Sequence, residues 1–216
     1  MRTNHPNIRA VAFDFGGVLA YFINKQSIAE MAGVAGVGYE PFNTSMWKFR
    51  EGLDSGEYDN LYYWTLVLDD CNSTVSRKDL VETLVEMDVQ GFSRMNQKLL
   101  AWAKTLKKQG FGTLIISNMA ETTYQSLIAN QPWLGHFDAV VISGIIGINK
   151  PDQRIFTHAV ERMHLDAAEI LFLDDLSHNV ASAKEGGLHA LVYSDTTQLA
   201  QDLTAHFPIL PVDELL

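Results

Sequence analysis

Five short apolar runs punctuate the chain: IRAVAF at residues 8–13, GTLIIS at 112–117, AVVIS at 139–143, EILFL at 169–173 and HALVYS at 189–194. Each is continuous rather than alternating and rich in Val, Ile and Leu, which predicts parallel strands covered on both faces. Between the later runs the apolar spacing becomes helical, over residues 121–130, 152–163, 177–185 and 197–206, with Gly186-Gly187 as a stop signal. Strand and helix thus alternate over more than half the chain. The pattern predicts an α/β fold, a Rossmann-like doubly wound parallel sheet with ligands at the carboxyl ends of its strands.

The gap between the first two runs has no convincing buried strand. It carries helical spacing over residues 25–34, 43–52, 59–70 and 77–88, with Asp59 or Asn60 as the cap of the third and Ser76 of the fourth. A further helix over 93–109, stopped by Gly110, leads back to the sheet. The expected organisation is therefore a core of residues 1–20 and 96–216 and a helical insertion, 21–95, after strand one.

Composition narrows the class. A chain of 216 residues, 47% apolar, sustains one substantial core with a modest insertion. The start MRTNHPNIRA does not read as an export leader, and no apolar run reaches the roughly 18 residues of a membrane span, so a cytoplasmic location is expected with no membrane partner. Cys71 is the one cysteine, which excludes an internal disulfide and a cysteine-based zinc cluster. A net charge of −10 with scattered basic residues disfavours nucleic acid, while a small phosphate ester can still be held by local groups.

Polar groups end the predicted strands: Asp14 the first, Ser117 and Asn118 the second, Ser143 the third, Asp174 and Asp175 the fourth, with Lys150 in the loop GINKPD. Any one of these is an ordinary strand end meeting water. Gathered on one edge, three carboxylates repel one another and call for cations between them. Lys150 and a divalent cation would compensate, and oxygen ligands point to magnesium rather than zinc.

In this order the motifs FDFGGVL, IISN, NKPD and FLDD resemble those of the haloacid dehalogenase-like hydrolase superfamily, and the resemblance covers nearly the whole chain. Residues 21–95 resemble its helical C1 cap, with GEYDNLYYW similar to the stretch where an aromatic-bearing helix follows a Gly-Glu turn. The resemblance implies a Mg2+-dependent phosphatase acting on a small phosphorylated metabolite. Asp14 would be the nucleophile, forming an aspartyl-phosphate that water hydrolyses. Backbone amides of Phe15, Gly16 and Gly17 would cradle the phosphoryl oxygens, Ser117 would donate to them with Asn118 in support, and Lys150 would neutralise developing charge. Asp14, the Gly16 carbonyl and Asp175 would hold the metal, with Asp174 and Asn179 supporting them from behind.

Many family phosphatases carry, two residues after the nucleophile, an aspartate that protonates the leaving group. This chain has Gly16 there. General acid–base help is commonly worth about 10²–10⁴ in rate, so three explanations compete: a good leaving group such as an anomeric sugar or acyl phosphate, a substitute acid such as His178 or a cap side chain, or lost turnover with retained ligand binding. Relatives similar to sugar-1-phosphate phosphatases share the glycine. A 2-haloacid dehalogenase also lacks that acid but does not keep the Asp174-Asp175 pair, and a phosphomutase needs the missing group. Of the aromatic set Trp47, Tyr62, Tyr63 and Trp64, at most one or two are expected to face a ligand. Arg154 reads as a solvated helix position and residues 207–216 as an ordered or fraying tail.

Overall fold

The computed structural model describes residues 6–216; Met1–His5, the first half of the stretch read above as lacking a leader, lie outside the described residues, as do the side chains of Lys78 and Asp79. In chain order the elements are β1 (Ala10–Phe13), α1 (Lys25–Val34), α2 (Tyr39–Lys48), α3 (Arg50–Asp54), α4 (Asn60–Asp70), α5 (Arg77–Gly91) and α6 (Gln97–Lys108). These are followed by β2 (Gly112–Ser117), α7 (Glu121–Leu127), β3 (Ala139–Ile142), α8 (Ser143–Ile146), α9 (Gln153–Met163), β4 (Ile170–Asp174), α10 (Ser177–Glu185), β5 (His189–Val192) and α11 (Thr196–His206).

All strand pairs are parallel and the sheet order is β3-β2-β1-β4-β5. The first three strands are laid down outward from β1 on one side and the last two on the other. Strand direction of travel therefore reverses at the β1/β4 boundary, where an open α/β sheet leaves a crevice at its carboxyl edge. Both faces of β1 are covered: Val11 and Phe13 belong to one apolar cluster, Ala10 and Ala12 to another with Phe156 of α9 and Val180 of α10. The α/β doubly wound reading of the five runs is what the sheet shows.

The connection from β1 to β2 is helical. Its two crossings are clasped, with Tyr21 N–H donating to Arg94 O at 2.9 Å and Asn96 N–H to Leu19 O at 2.8 Å. Inside the insertion Phe42 of α2 stacks on Trp64 of α4 at 6.1 Å, and the Tyr63 hydroxyl donates to Met46 O at 2.7 Å. Trp64 and Val11 share one apolar cluster, so the insertion and the sheet face are packed as one core.

Several local expectations change. The helix expected over 43–52 is two helices, α2 starting earlier at Tyr39 and α3 starting anew after Phe49, whose φ of −104° and ψ of 1° break the helical run. The helix expected from residue 93 begins at Gln97, because Asn96 accepts from Leu99 N–H as its cap. Asp59, rather than Asn60, caps α4. Ser76 stands at the N-cap of α5 without a side-chain cap bond. The third strand ends at Ile142, and Ser143 opens α8. The tail is packed: Trp102 Nε1 donates to Pro211 O at 2.7 Å and Leu215 is fully buried.

Ser143 links insertion and core, its hydroxyl accepting from Met119 N–H at 2.9 Å and donating to Asp54 O at 2.5 Å. Ser143→Ala leaves both buried backbone groups short of a partner, so it is expected to cost about 1–3 kcal/mol in urea unfolding. An unchanged midpoint would show that the link carries no stability.

Candidate active site

The turn after β1 carries Asp14 to the crevice beside the end of β4. Lys150 Nζ, 4% exposed as a residue, lies 2.8 Å from Asp14 Oδ1 and 2.7 Å from Asp174 Oδ2, and donates to Ile116 O at 3.0 Å. One ammonium thus ties β1, β2 and β4 together at their carboxyl ends. Burial works against that charge, but Asp14 and Asp174 outweigh it and hold the Lys150 pKa above its usual range. Asp14 Oδ1 also accepts from Phe15 N–H at 2.6 Å.

Asp174 is saturated. Besides Lys150 it accepts from Leu176 N–H at 2.8 Å and from Asn179 Nδ2 at 3.1 Å on each oxygen, so it is fixed as the support of its neighbours. Asp175 differs: its Oδ1 is buried without a hydrogen-bond partner. Asp14, Asp174 and Asp175 each offer an oxygen, and these atoms lie within 4.8 Å of one another. Three acids against one lysine leave a local excess of negative charge. Burial pushes the Asp14 carboxyl up to about 7, Asp174 adding to the rise while Lys150 and the Phe15 N–H oppose it. Burial and then Asp174 likewise raise Asp175. An orphaned carboxylate oxygen among clustered acids is a donor set that fits a hard divalent cation.

Asp14, Phe15, Gly16, Ser117, Asn118, Lys150, Asp175 and Asn179 all line one cavity of about 180 Å³. Two details depart from the sequence reading. The amides of the 15–17 turn are not all turned to a ligand: Phe15 N–H goes to Asp14, and Gly17 N–H donates to Ala20 O at 2.8 Å. Gly17, at φ +77°, instead makes room for its neighbours, since a Cβ there would stand 2.7 Å from both Asp175 Cγ and the Phe22 ring. Asn118 spends both polar ends on the Lys150 backbone, donating to its oxygen at 2.9 Å and accepting from its N–H at 2.7 Å, and so holds the lysine loop.

The insertion supplies the opposite wall with Trp47, Arg50, Asp54 and Phe92, and the crossing segment adds Phe22. Of the four aromatics singled out in the sequence, Trp47 faces the cavity, Tyr63 and Trp64 are buried in the insertion and Tyr62 is exposed. Arg50 and Asp54 escaped sequence reasoning altogether. A charged residue in an amphipathic helix reads as solvated, and only their mutual i, i+4 spacing hinted at a pair. His178 is exposed, and Arg154 is an exposed partner of Asp152.

An aspartate at a strand end, a buried lysine and an acid pair thus meet at the carboxyl edge of a parallel sheet. A family model for haloacid dehalogenase-like hydrolases matches residues 8–187, and the chain belongs to that family. Bifunctional epoxide hydrolase 2 of Rattus norvegicus is 23% identical over 232 residues, covering 95% of this chain and 40% of that protein. The chain therefore spans two fifths of that relative's length. Phosphoglycolate phosphatase of Neisseria gonorrhoeae is 25% identical over 207 residues, covering 92% and 86%. Among solved structures, a HAD family enzyme of Bacteroides thetaiotaomicron in complex with magnesium and inorganic phosphate aligns with a TM-score of 0.70 at 17% identity, covering 89% and 98%. An L-2-haloacid dehalogenase aligns at 0.62 and 20% identity, covering 85% of each chain. These structural likenesses are of fold. No helix of the described residues is long and apolar enough to cross a membrane.

Magnesium at about a hundred times its Kd is expected to stabilise the protein by about 2.7 kcal/mol, a rise in Tm of roughly 5–10 °C. Asp175→Asn should abolish that rise, and an undiminished shift would remove Asp175 from the ligand set. Metal binding displaces the Asp14 proton, so the shift should grow as pH rises through about 7 and shrink below it.

Proposed function

We propose that the chain is a magnesium-dependent phosphatase that hydrolyses a small phosphorylated metabolite, a sugar phosphate among the candidates, through an aspartyl-phosphate on Asp14. The observation that carries this reading is the meeting of Asp14, Lys150 and the partnerless Asp175 oxygen in one cavity. The gonococcal phosphatase, matched over most of both chains, and the magnesium–phosphate complex of the structural neighbour support it.

Lys150 and the Phe15 N–H both hold Asp14 Oδ1, which fixes the carboxylate and leaves Oδ2 clear of those contacts for in-line attack on phosphorus. Ser117 Oγ, whose own bond to Asn118 O is long at 3.4 Å, can turn to a phosphoryl oxygen. Lys150 then offsets charge on both the nucleophile and the phosphoryl group from its buried position. Magnesium held by Asp14, the Gly16 carbonyl and Asp175 would supply the remaining charge neutralisation. Residues 21–95 act in this reading as a cap over the site, setting which ester enters. The dehalogenase alternative has no use for the Asp175 oxygen.

Asp14→Asn is expected to lower phosphate release from p-nitrophenyl phosphate by roughly 10³-fold or more, since the carboxylate forms the intermediate. Chelation should abolish release and added magnesium restore it. Turnover that survives both treatments, or wild-type protein that releases no phosphate with any metal, would refute the reading; the latter outcome is that of a silent phosphometabolite-binding protein.

A further inference from the structure

Arg50, Asp54 and Asp88 form a buried group on α3 and α5 for which the chemistry above has no task. Arg50 Nε donates to Asp54 Oδ1 at 3.0 Å, and Nη1 reaches Asp88 Oδ1 and Oδ2 at 2.9 and 3.0 Å. The three residues are 8%, 9% and 3% exposed. One guanidinium therefore serves two nearly buried carboxylates, which favours a proton on one of them over two full charges. Asp88 engages Arg50 through both oxygens and Asp54 through one, so Asp54 is the acid better suited to keep the proton. Burial raises its pKa and Asp88 adds to the rise, with Arg50 and the Ala120 N–H opposing. Arg50 itself stays charged, because its two acids outweigh its burial.

Asp54 also lines the cavity that contains Asp14, Ser117 and Lys150. Its place there is fixed from the core side by the Ser143 hydroxyl on its carbonyl and by Asn149 Nδ2, which donates to Glu51 O at 2.9 Å one turn earlier. Among the described residues, the other charged or titratable groups near the triad or across the cavity are Tyr63 of α4, whose hydroxyl donates to Met46 O and faces Arg50, and Lys150, Asp14 and Asp175. From α8 the uncharged Ser143 reaches the Asp54 carbonyl, and the N-cap of α7 offers the Ala120 N–H to the Asp54 carboxyl.

We propose that Asp54, reaching in from the insertion, is the proton donor and acceptor for the reaction at Asp14, filling the part that Gly16 cannot play. The proposal rests on the phosphatase reading. As the Asp14 oxygen–phosphorus bond forms and the ester P–O bond breaks, the departing oxygen takes the Asp54 proton, and the resulting carboxylate is paired with Arg50. Water then attacks the aspartyl-phosphate, gives a proton back to Asp54, and the bond from Asp14 to phosphorus breaks to release inorganic phosphate. Arg50 is a positioning residue in this scheme, shared with Asp88 so that Asp54 gives up and regains its proton.

The test is kcat/KM over a series of aryl and alkyl phosphates of increasing leaving-group pKa, for wild-type protein and Asp54→Asn. A leaving group that needs protonation should lose about 10²–10⁴-fold in the variant, whereas p-nitrophenyl phosphate, a good leaving group, should lose less than about 10-fold. An equal loss across the series would overturn the proposal, since a merely structural role does not sense the leaving group. Adding Gly16→Asp to Asp54→Asn is expected to recover alkyl phosphate turnover. Space allows it: a Cβ at Gly16 meets the edge of the half-exposed Phe22 ring at 3.4 Å and the Phe92 ring at 4.0 Å, both ordinary contacts. A second measurement needs no variant. In wild-type protein the alkyl phosphate pH profile should fall on its basic side, where Asp54 loses its proton, and the p-nitrophenyl phosphate profile should lack that limb; coincident profiles would overturn the proposal. Absence of phosphate release from every ester would refute the phosphatase reading itself, and is distinct from turnover that ignores Asp54.

Discussion

The ion pairs of Lys150 with Asp14 and Asp174 are the constraint on which the rest of the site depends. They lie almost fully buried where β1, β2 and β4 end, and a third contact to Ile116 O leaves the ammonium saturated. Buried charges are tolerable only when each is compensated, so each neighbour is committed in turn. Asn118 holds the Lys150 backbone, while Asn179 and the Leu176 N–H hold Asp174. What is left over is the second oxygen of Asp14 and the Asp175 carboxylate, and these excess negative groups face the cavity. The reactive atoms are thus those the packing leaves incompletely satisfied.

A similar shortage recurs on the opposite wall. Arg50 is one cation for two acids, placed between the aromatic rings of Trp47 and Phe92 at 5.8 and 5.4 Å from its guanidinium carbon. The core crevice has one cation for three carboxylates. Both charge imbalances border the same cavity, and Ser143 joins the two walls through Asp54 O and Met119 N–H. Insertion and core are therefore coupled mechanically by a hydroxyl and chemically by the space between them.

Much of the scaffold was legible because its signals are local. Continuous Val, Ile and Leu runs can be satisfied only by strands buried on both faces, and helical spacing with Asn, Asp and Gly punctuation fixes most intervening helices to within a few residues. Misplaced boundaries have specific causes. Phe49 interrupts a run whose spacing looks continuous, and Asn96 captures the start of α6 through its side chain. Amide directions in the 15–17 turn were not legible, because the path from Asp14 to Ala20 depends on bonds to Leu173 and Ala20 that no spacing records.

The sequence by itself determined the alternation of elements and the placement of Asp14, Ser117, Lys150, Asp174 and Asp175 near strand ends, since a strand must stop where polar residues reach water. It also determined that no acid stands at Gly16. Tertiary structure alone decided that Arg50 and Asp54, ordinary charged residues on a short helix, are turned inward across from Asp14. That choice depends on Asp88, 38 residues along the chain from Arg50, and on Ser143, 89 residues from Asp54, meeting them in space. Burial of a charge is a property of everything packed around it, and so cannot be read from the residues beside it in the chain.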